Sequence, residues 1–187
     1  MTQDIRQQLT KMIIQKSYER RSVVLASGRI SDFYIDLKNT LLHPQGIDWI
    51  STLMLEKLND LKGQLIGIGG PTMGADPLVT AISMKSLQWS KPLLAFYIRK
   101  EPKAHGTSQW LEGIKNFENG SRVFIIEDVV TSGGSSLRAV EKAQAGGLKV
   151  EGIMTCVDRE EGGREKIEAS GLRFMTILTK SDILSSV

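Results

Sequence analysis

Apolar residues recur along this chain in two rhythms, one of three to four residues and one of short unbroken runs. Ile5, Leu9, Met12 and Ile13 share one helical face, with charged and amide side chains opposite, which predicts an amphipathic helix. Val23-Val24-Leu25 and Phe33-Tyr34-Ile35-Asp36-Leu37 read as strands about a turn at Ser27-Gly28-Arg29. Pro44 opens a second helix that carries Ile47, Ile50, Met54, Leu58 and Leu61. Beyond it the pattern is regular. Strands are predicted at 65–68, 93–98, 123–126, 150–157 and 174–178, and helices at 75–89, 135–145 and 164–169. Apolar strands alternating with helices predict an α/β fold with a mostly parallel central sheet flanked by helices. Such sheets bind ligands at the carboxyl ends of their strands, so chemistry is expected just after each one. No repeat, low-complexity segment or linker interrupts residues 1–187, which read as a single domain.

Composition changes this picture little. The 41% hydrophobic and 24% charged content is that of a soluble globular protein. A net charge of +3 without a long basic run argues for no nucleic-acid partner. Local clusters at Glu19-Arg20-Arg21 and Arg99-Lys100-Glu101-Pro102-Lys103 suit a small anionic ligand better. The single cysteine, Cys156, excludes an intrachain disulfide and any cysteine-rich metal site; its apolar neighbours predict an inert, buried thiol. The first segment lacks the apolar core of a signal peptide, and no run approaches the ~20 apolar residues a membrane helix needs. A cytoplasmic protein with no membrane partner is expected.

The most informative stretch is VFIIEDVVTSGGSS, residues 123–136. Four apolar residues form a buried strand, Glu127 and Asp128 stand at its end, and a Thr/Ser/Gly loop runs into a helix. Thr131 to Ser135 can curl around a phosphate: glycines let backbone N–H groups approach, hydroxyls add donors, and the helix presents its positive end. The carboxylates accept hydrogen bonds from sugar hydroxyls, or hold Mg²⁺ directly or through water. A ribose carrying a 5-phosphate satisfies both halves. The alternative is a plain strand-turn-helix junction with solvated acids. A Walker loop is excluded, because no Gly-x-x-x-x-Gly-Lys-Ser/Thr run occurs.

This stretch closely resembles the phosphoribosyl pyrophosphate (PRPP) signature of the type I phosphoribosyltransferases. The resemblance implies that Glu127 and Asp128 contact the ribose hydroxyls and that Thr131, Ser132, Gly133, Gly134 and Ser135 hold the 5-phosphate, with Val129 and Val130 joining the two. It is specific for the superfamily and silent on the base.

Residues 99–120, RKEPKAHGTSQWLEGIKNFENG, are polar and long for a connection, which marks a functional lid or a plain excursion. Arg99, Lys100, Lys103 and His105 can neutralise a leaving pyrophosphate; a solvated basic hairpin tip is the other reading. Arg-Lys-Glu-x-Lys-x-His-Gly is similar to the mobile catalytic loop of the orotate phosphoribosyltransferases, whose loop lysines and histidine reach into the neighbouring subunit's site. That resemblance implies a homodimer with shared sites, catalytic roles for Lys100, Lys103, His105 and Asp128, and PRPP contact from Arg99, Lys100, Lys103 and His105.

Two more segments resemble the same family. Residues 25–34, LASGRISDFY, look like its Ser-Gly-Arg-x-Ser segment, so residues 1–40 would form a small hood over the base. Asp158-Arg159-Glu160-Glu161-Gly162-Gly163 resembles its Asp-Arg-x-Glu element, which implies that Arg159 and Thr131 bind orotate. A guanidinium suits a carboxylated pyrimidine because it grips a carboxylate with two parallel hydrogen bonds; otherwise Arg159 is a surface ion pair with Glu160 or Glu161. Residues 69–77, GGPTMGADP, resemble by position the pyrophosphate-contacting loop, with Asp76 read as a helix cap in preference to a metal ligand. The cofactor implied is Mg²⁺, with ligands unassigned. Several orotate enzymes have lysines where this chain has Ala26 and Met73. Two alternatives therefore stand: transfer to another base, and a ligand-sensing regulator on the same fold. His43, before Pro44, reads as a turn residue.

Overall fold

The computed structural model describes residues 2–24, 30–102 and 110–187, with the side chains of 22–24 and 30–32 set aside. The amphipathic first segment forms α1 (Thr2–Lys16), with Leu9 and Ile13 fully buried. An antiparallel hairpin follows, β1 (Tyr18–Val24) and β2 (Ile30–Ile35). Its first strand begins earlier than the apolar run predicts. Its charged side chains Glu19, Arg20 and Arg21 stay exposed, and the Arg21 guanidinium lies 3.8 Å over the Tyr34 ring of the paired strand. After a short α2 (Lys38–Leu41), α3 (Pro44–Lys57) starts on His43, whose Nδ1 accepts the Gln45 amide at 3.3 Å. His43 is thus a helix cap.

The remaining strands are β3 (Gly67–Pro71), β4 (Leu94–Ile98), β5 (Leu111–Glu112), β6 (Arg122–Val130), β7 (Lys149–Asp158) and β8 (Arg173–Thr179). Among the described residues they form one sheet in the order β5-β4-β3-β6-β7-β8, parallel except for the edge strand β5. Helices α4 (Asp76–Lys85), α5 (Gly134–Ala145), α6 (Gly163–Ala169) and α7 (Lys180–Leu184) complete the chain. Alternating side chains of β6 sort the core into two layers. Phe124 and Ile126 pack with α1, α3 and α4; Val123 and Ile125 pack with α5 and α6. The α/β class with a helix-flanked, mostly parallel sheet is as expected.

Two boundaries bear on function. β3 runs through Gly69 and Gly70 to Pro71, where an end was expected, because its backbone is laddered to β4 from Gly67 through Pro71. β6 likewise extends past Ile126, so Glu127 and Asp128 lie within the strand, not at its end. Their backbone continues to pair with β7, through Glu127↔Thr155 and Val130↔Asp158.

Candidate active site

The chain leaves β3 for β4 on one side and returns to the other side as β6, so a topological switch point falls between β3 and β6. The two strands pair only as far as Gly69↔Ile125. Beyond that register they part, and Glu127 and Asp128 occupy the opening. A cleft of about 530 Å³ lies here, lined by residues from the ends of β3, β4 and β6 and by α5.

Burial gives the two acids different properties. Glu127 is 5% exposed and accepts a 2.9 Å hydrogen bond from the Ser136 hydroxyl. Burial pushes its carboxyl up to about 8, opposed by Ser136 and reinforced by neighbouring Asp128. Asp128 is half-buried, with Oδ1 accepting the Val129 amide at 2.8 Å. Burial raises its carboxyl as well, while the Val129 amide and the Lys38 ammonium pull the other way. Gly74 abuts this carboxylate so closely that a Cβ there would collide with it. With glycine at 74, the loop after β3 approaches Asp128 without displacing its carboxylate.

Glu127 makes ligand-free stability depend on pH. Its folded value of about 8 lies above its ordinary 4.5, so the folded state binds more protons between those limits. The stability it contributes is complete below the lower value and is lost as pH rises through the upper one, on the order of a few kcal/mol. Thermal melting of the ligand-free protein is expected to drop across that window, and Glu127→Gln to flatten the drop. An identical pH slope in both proteins would contradict the assignment.

The phosphate-loop candidates follow directly. Gly133 adopts φ 73° at the N-cap of α5, and the loop packs against Gly163 at the start of α6. Gly134 sits 3.5 Å from the Arg138 guanidinium, measured from the position a Cβ would take. Ser132 and Ser135 are exposed, whereas Gly133 is buried. Ser135 reaches the cleft with Glu127, Asp128, Arg99 and Lys100; Thr131, Ser132, Gly133 and Gly134 are not in its lining. Lys103 and His105 lie outside the described residues, as does Ala26.

Arg159 is not the surface ion pair that one reading allowed. It is 8% exposed, its Nη2 donating to the Phe33 carbonyl at 3.0 Å and standing 3.0 Å from Glu161 Oε1. It thereby ties the hairpin to the carboxyl end of β7. Glu160, with φ 55°, turns away and accepts from the Ser181 amide and hydroxyl. Asp76 does not cap α4: Ala75 holds the N-cap position, and Asp76 is the first helical residue, hydrogen-bonded to the Thr72 side chain. Its Oδ1 is buried without a hydrogen-bond partner, and burial raises its carboxyl. Cys156 is fully buried, which drives its thiol far up and leaves it inert.

Three cations of the cleft, Lys38, Arg138 and Lys142, have no counterpart in the sequence reading. Lys38 follows the hairpin and pairs with Asp36 at 2.8 Å. Arg138 and Lys142 stand four residues apart, on one face of the helix that leaves the loop from Thr131 to Ser135. That spacing was a visible signal.

A parallel sheet with this switch point, acids on the strand beside it and a Thr-Ser-Gly-Gly-Ser loop entering a helix define a type I phosphoribosyltransferase. No family model matches the chain. It is 42% identical over 179 residues to the orotate phosphoribosyltransferase of Sorangium cellulosum, covering 96% of this chain and 93% of that protein. The Bradyrhizobium diazoefficiens orotate phosphoribosyltransferase is 42% identical over 183 residues, 97% of each chain. The solved orotate phosphoribosyltransferase of Mycobacterium tuberculosis, in complex with Fe(III) dicitrate, matches with a TM-score of 0.80 at 38% identity, over 96% of this chain and 98% of that one. Its complex with PRPP matches at 0.76 and 36%, with the same coverage. The chain belongs to the orotate phosphoribosyltransferase family.

Proposed function

We infer that this enzyme transfers the phosphoribosyl group of PRPP to orotate, giving orotidine 5'-monophosphate and pyrophosphate in pyrimidine biosynthesis. One observation carries the reading. Glu127, Asp128 and Ser135 share one cleft at the switch point with Arg99 and Lys100, so acceptors for sugar hydroxyls and cations for phosphates converge on a single ligand.

Displacement at the anomeric carbon passes through a state resembling an oxocarbenium ion, with negative charge growing on the departing pyrophosphate. Asp128 and Glu127 accept the ribose hydroxyls; the loop from Thr131 to Ser135 takes the 5-phosphate on its N–H groups and hydroxyls. Arg99, Lys100, Lys103 and His105 are assigned to neutralise the pyrophosphate, and Lys103 or His105 to protonate it as it leaves. Orotate is assigned to Thr131 and to Arg159, whose guanidinium also holds the Phe33 carbonyl and Glu161, with residues 1–40 as the proposed hood over the base.

Among the described residues no three carboxylates, histidines or cysteines gather into a ready-made metal cage. Mg²⁺ needs none, since it keeps several waters and takes one or two carboxylates with substrate phosphates. The half-buried Asp128 carboxylate suits it better than Glu127, which burial keeps protonated to about pH 8, and Mg²⁺ there would add positive charge against the pyrophosphate. No described helix is long and apolar enough to cross a membrane, and we place the enzyme in the cytoplasm. We propose a homodimer with shared sites on the likeness of residues 99–106 to the family's catalytic loop; a fully active monomer by light scattering would refute it.

The deciding assay follows the orotate absorbance band on mixing protein, orotate, PRPP and Mg²⁺. Loss of the band with one pyrophosphate released per orotate is expected. Turnover with another base alone would shift the reading to that base and trace the change to Ala26 and Met73, where several orotate enzymes have lysines. No turnover with any base would leave the ligand-sensing regulator.

A further inference from the structure

The excursion that carries Lys100 leaves the sheet at the end of β4 and returns through β5, a strand of two residues with two paired positions, Tyr97↔Glu112 and Ile98↔Leu111. So short an edge strand holds poorly by itself. One side chain from another element grips both ends of the excursion. Lys142 Nζ, on α5, donates to the Arg99 carbonyl at 3.1 Å and lies 3.7 Å from the centre of the Trp110 ring. The two gripped residues are themselves joined, the Arg99 amide donating to the Trp110 carbonyl at 2.9 Å. The Arg99 side chain is then fixed by an ion pair with Glu112 at 2.9 Å.

We propose that Lys142 is a positioning residue, which holds Arg99 and Lys100 at the cleft by tying both ends of the excursion to the helix that begins in the phosphate loop. The inference rests on the phosphoribosyl-transfer reading above. Lys142 lines the cleft, yet its ammonium is committed to a carbonyl and a ring face. Such a group acts on the ligand through Arg99 and Lys100 instead of touching it. Because α5 starts at Gly134, the tie joins the two halves of the site, ribose-phosphate and pyrophosphate, through one rigid helix. Burial lowers the Lys142 pKa, as does the Arg138 guanidinium one turn away. The ammonium is kept charged in an unfavourable place, where the carbonyl and the ring face are its compensation.

The test compares Lys142→Met, which keeps the aliphatic stem, with Lys142→Arg, which also donates and stacks. Lys149→Met, remote from the cleft, serves as the control. Steady-state kcat and both KM values are measured, together with hydrogen exchange over 96–102 and 110–113. Lys142→Met is expected to lower kcat about tenfold, since small misplacements of a reacting pair cost that much or more. It should leave the orotate KM unchanged and speed exchange of the Arg99 amide, and Lys142→Arg should restore both. Full kcat in Lys142→Met overturns the proposal. So does a fall in kcat with unaltered exchange, which would make Lys142 a direct ligand contact. If the wild-type protein itself transfers no phosphoribosyl group, the functional reading fails separately, and the Arg99 exchange rate alone decides whether the tie exists.

Discussion

Asp128→Ala is expected to reduce kcat/KM for PRPP by about a hundredfold while leaving the fold intact. The carboxylate stands just past the last register of β3 and β6, with Gly74 pressed against it from the opposite loop. Its backbone is held by pairing with β7 on the other side, which fixes where the side chain leaves the strand. A hydrogen bond to a charged group contributes about 1.5–3 kcal/mol, which corresponds to roughly ten- to a hundredfold in rate or affinity for each bond lost. One such bond at the upper end of that range, or two at the lower end, gives the hundredfold. The folded protein should not weaken in parallel. Burial raises the Asp128 carboxyl, which means that its charged form is held at a cost, and alanine removes that cost. Titration of PRPP at saturating orotate, with melting curves of both proteins, separates the two effects. Wild-type kcat/KM in the alanine variant would remove Asp128 from the site.

Lys103→Ala is expected to lower turnover by about a hundredfold or more and to change orotate affinity little. In the proposed role, Lys103 meets the additional negative charge that builds on an already anionic pyrophosphate as it departs, so its interaction would be stronger in the transition state than in the ground state. Removing one such donor from a water-excluded site typically costs 10²–10³ in kcat. Lys103 lies outside the described residues, and the prediction stands on its sequence setting and on Arg99 and Lys100, which line the cleft three and four residues before it. Kcat from the orotate absorbance assay and orotate affinity from calorimetry check it. An unchanged turnover number refutes the role.

Much of the site was legible in the chain because its chemistry is local in sequence. Glu127, Asp128 and the loop from Thr131 to Ser135 fall within nine consecutive residues, and a strand followed by a helix leaves such a segment few other shapes. The glycines of that loop are interpretable from sequence for the same reason. Less legible was anything produced by contact between distant segments. Arg159 looks like one member of an acidic surface run, yet it is buried, because the carbonyl that receives it belongs to Phe33 in the hairpin. Asp76 carries the composition of a helix cap but lies one residue too far along to be one. β5 is two residues long, below any periodicity, and exists because β4 offers an edge.

The sequence by itself determined the α/β class, the alternation of its main strands and helices along the chain, and a PRPP-type signature, since hydrophobic period and motif spacing are properties of neighbouring residues. Only the tertiary structure decided that β3 and β6 part at the register where the acids sit. It also buried Glu127 deeply enough to hold its proton to about pH 8, and set Lys38, Arg138 and Lys142 around the cleft. Strand order, desolvation and convergence of side chains depend on what packs against each element, and chain position does not record that.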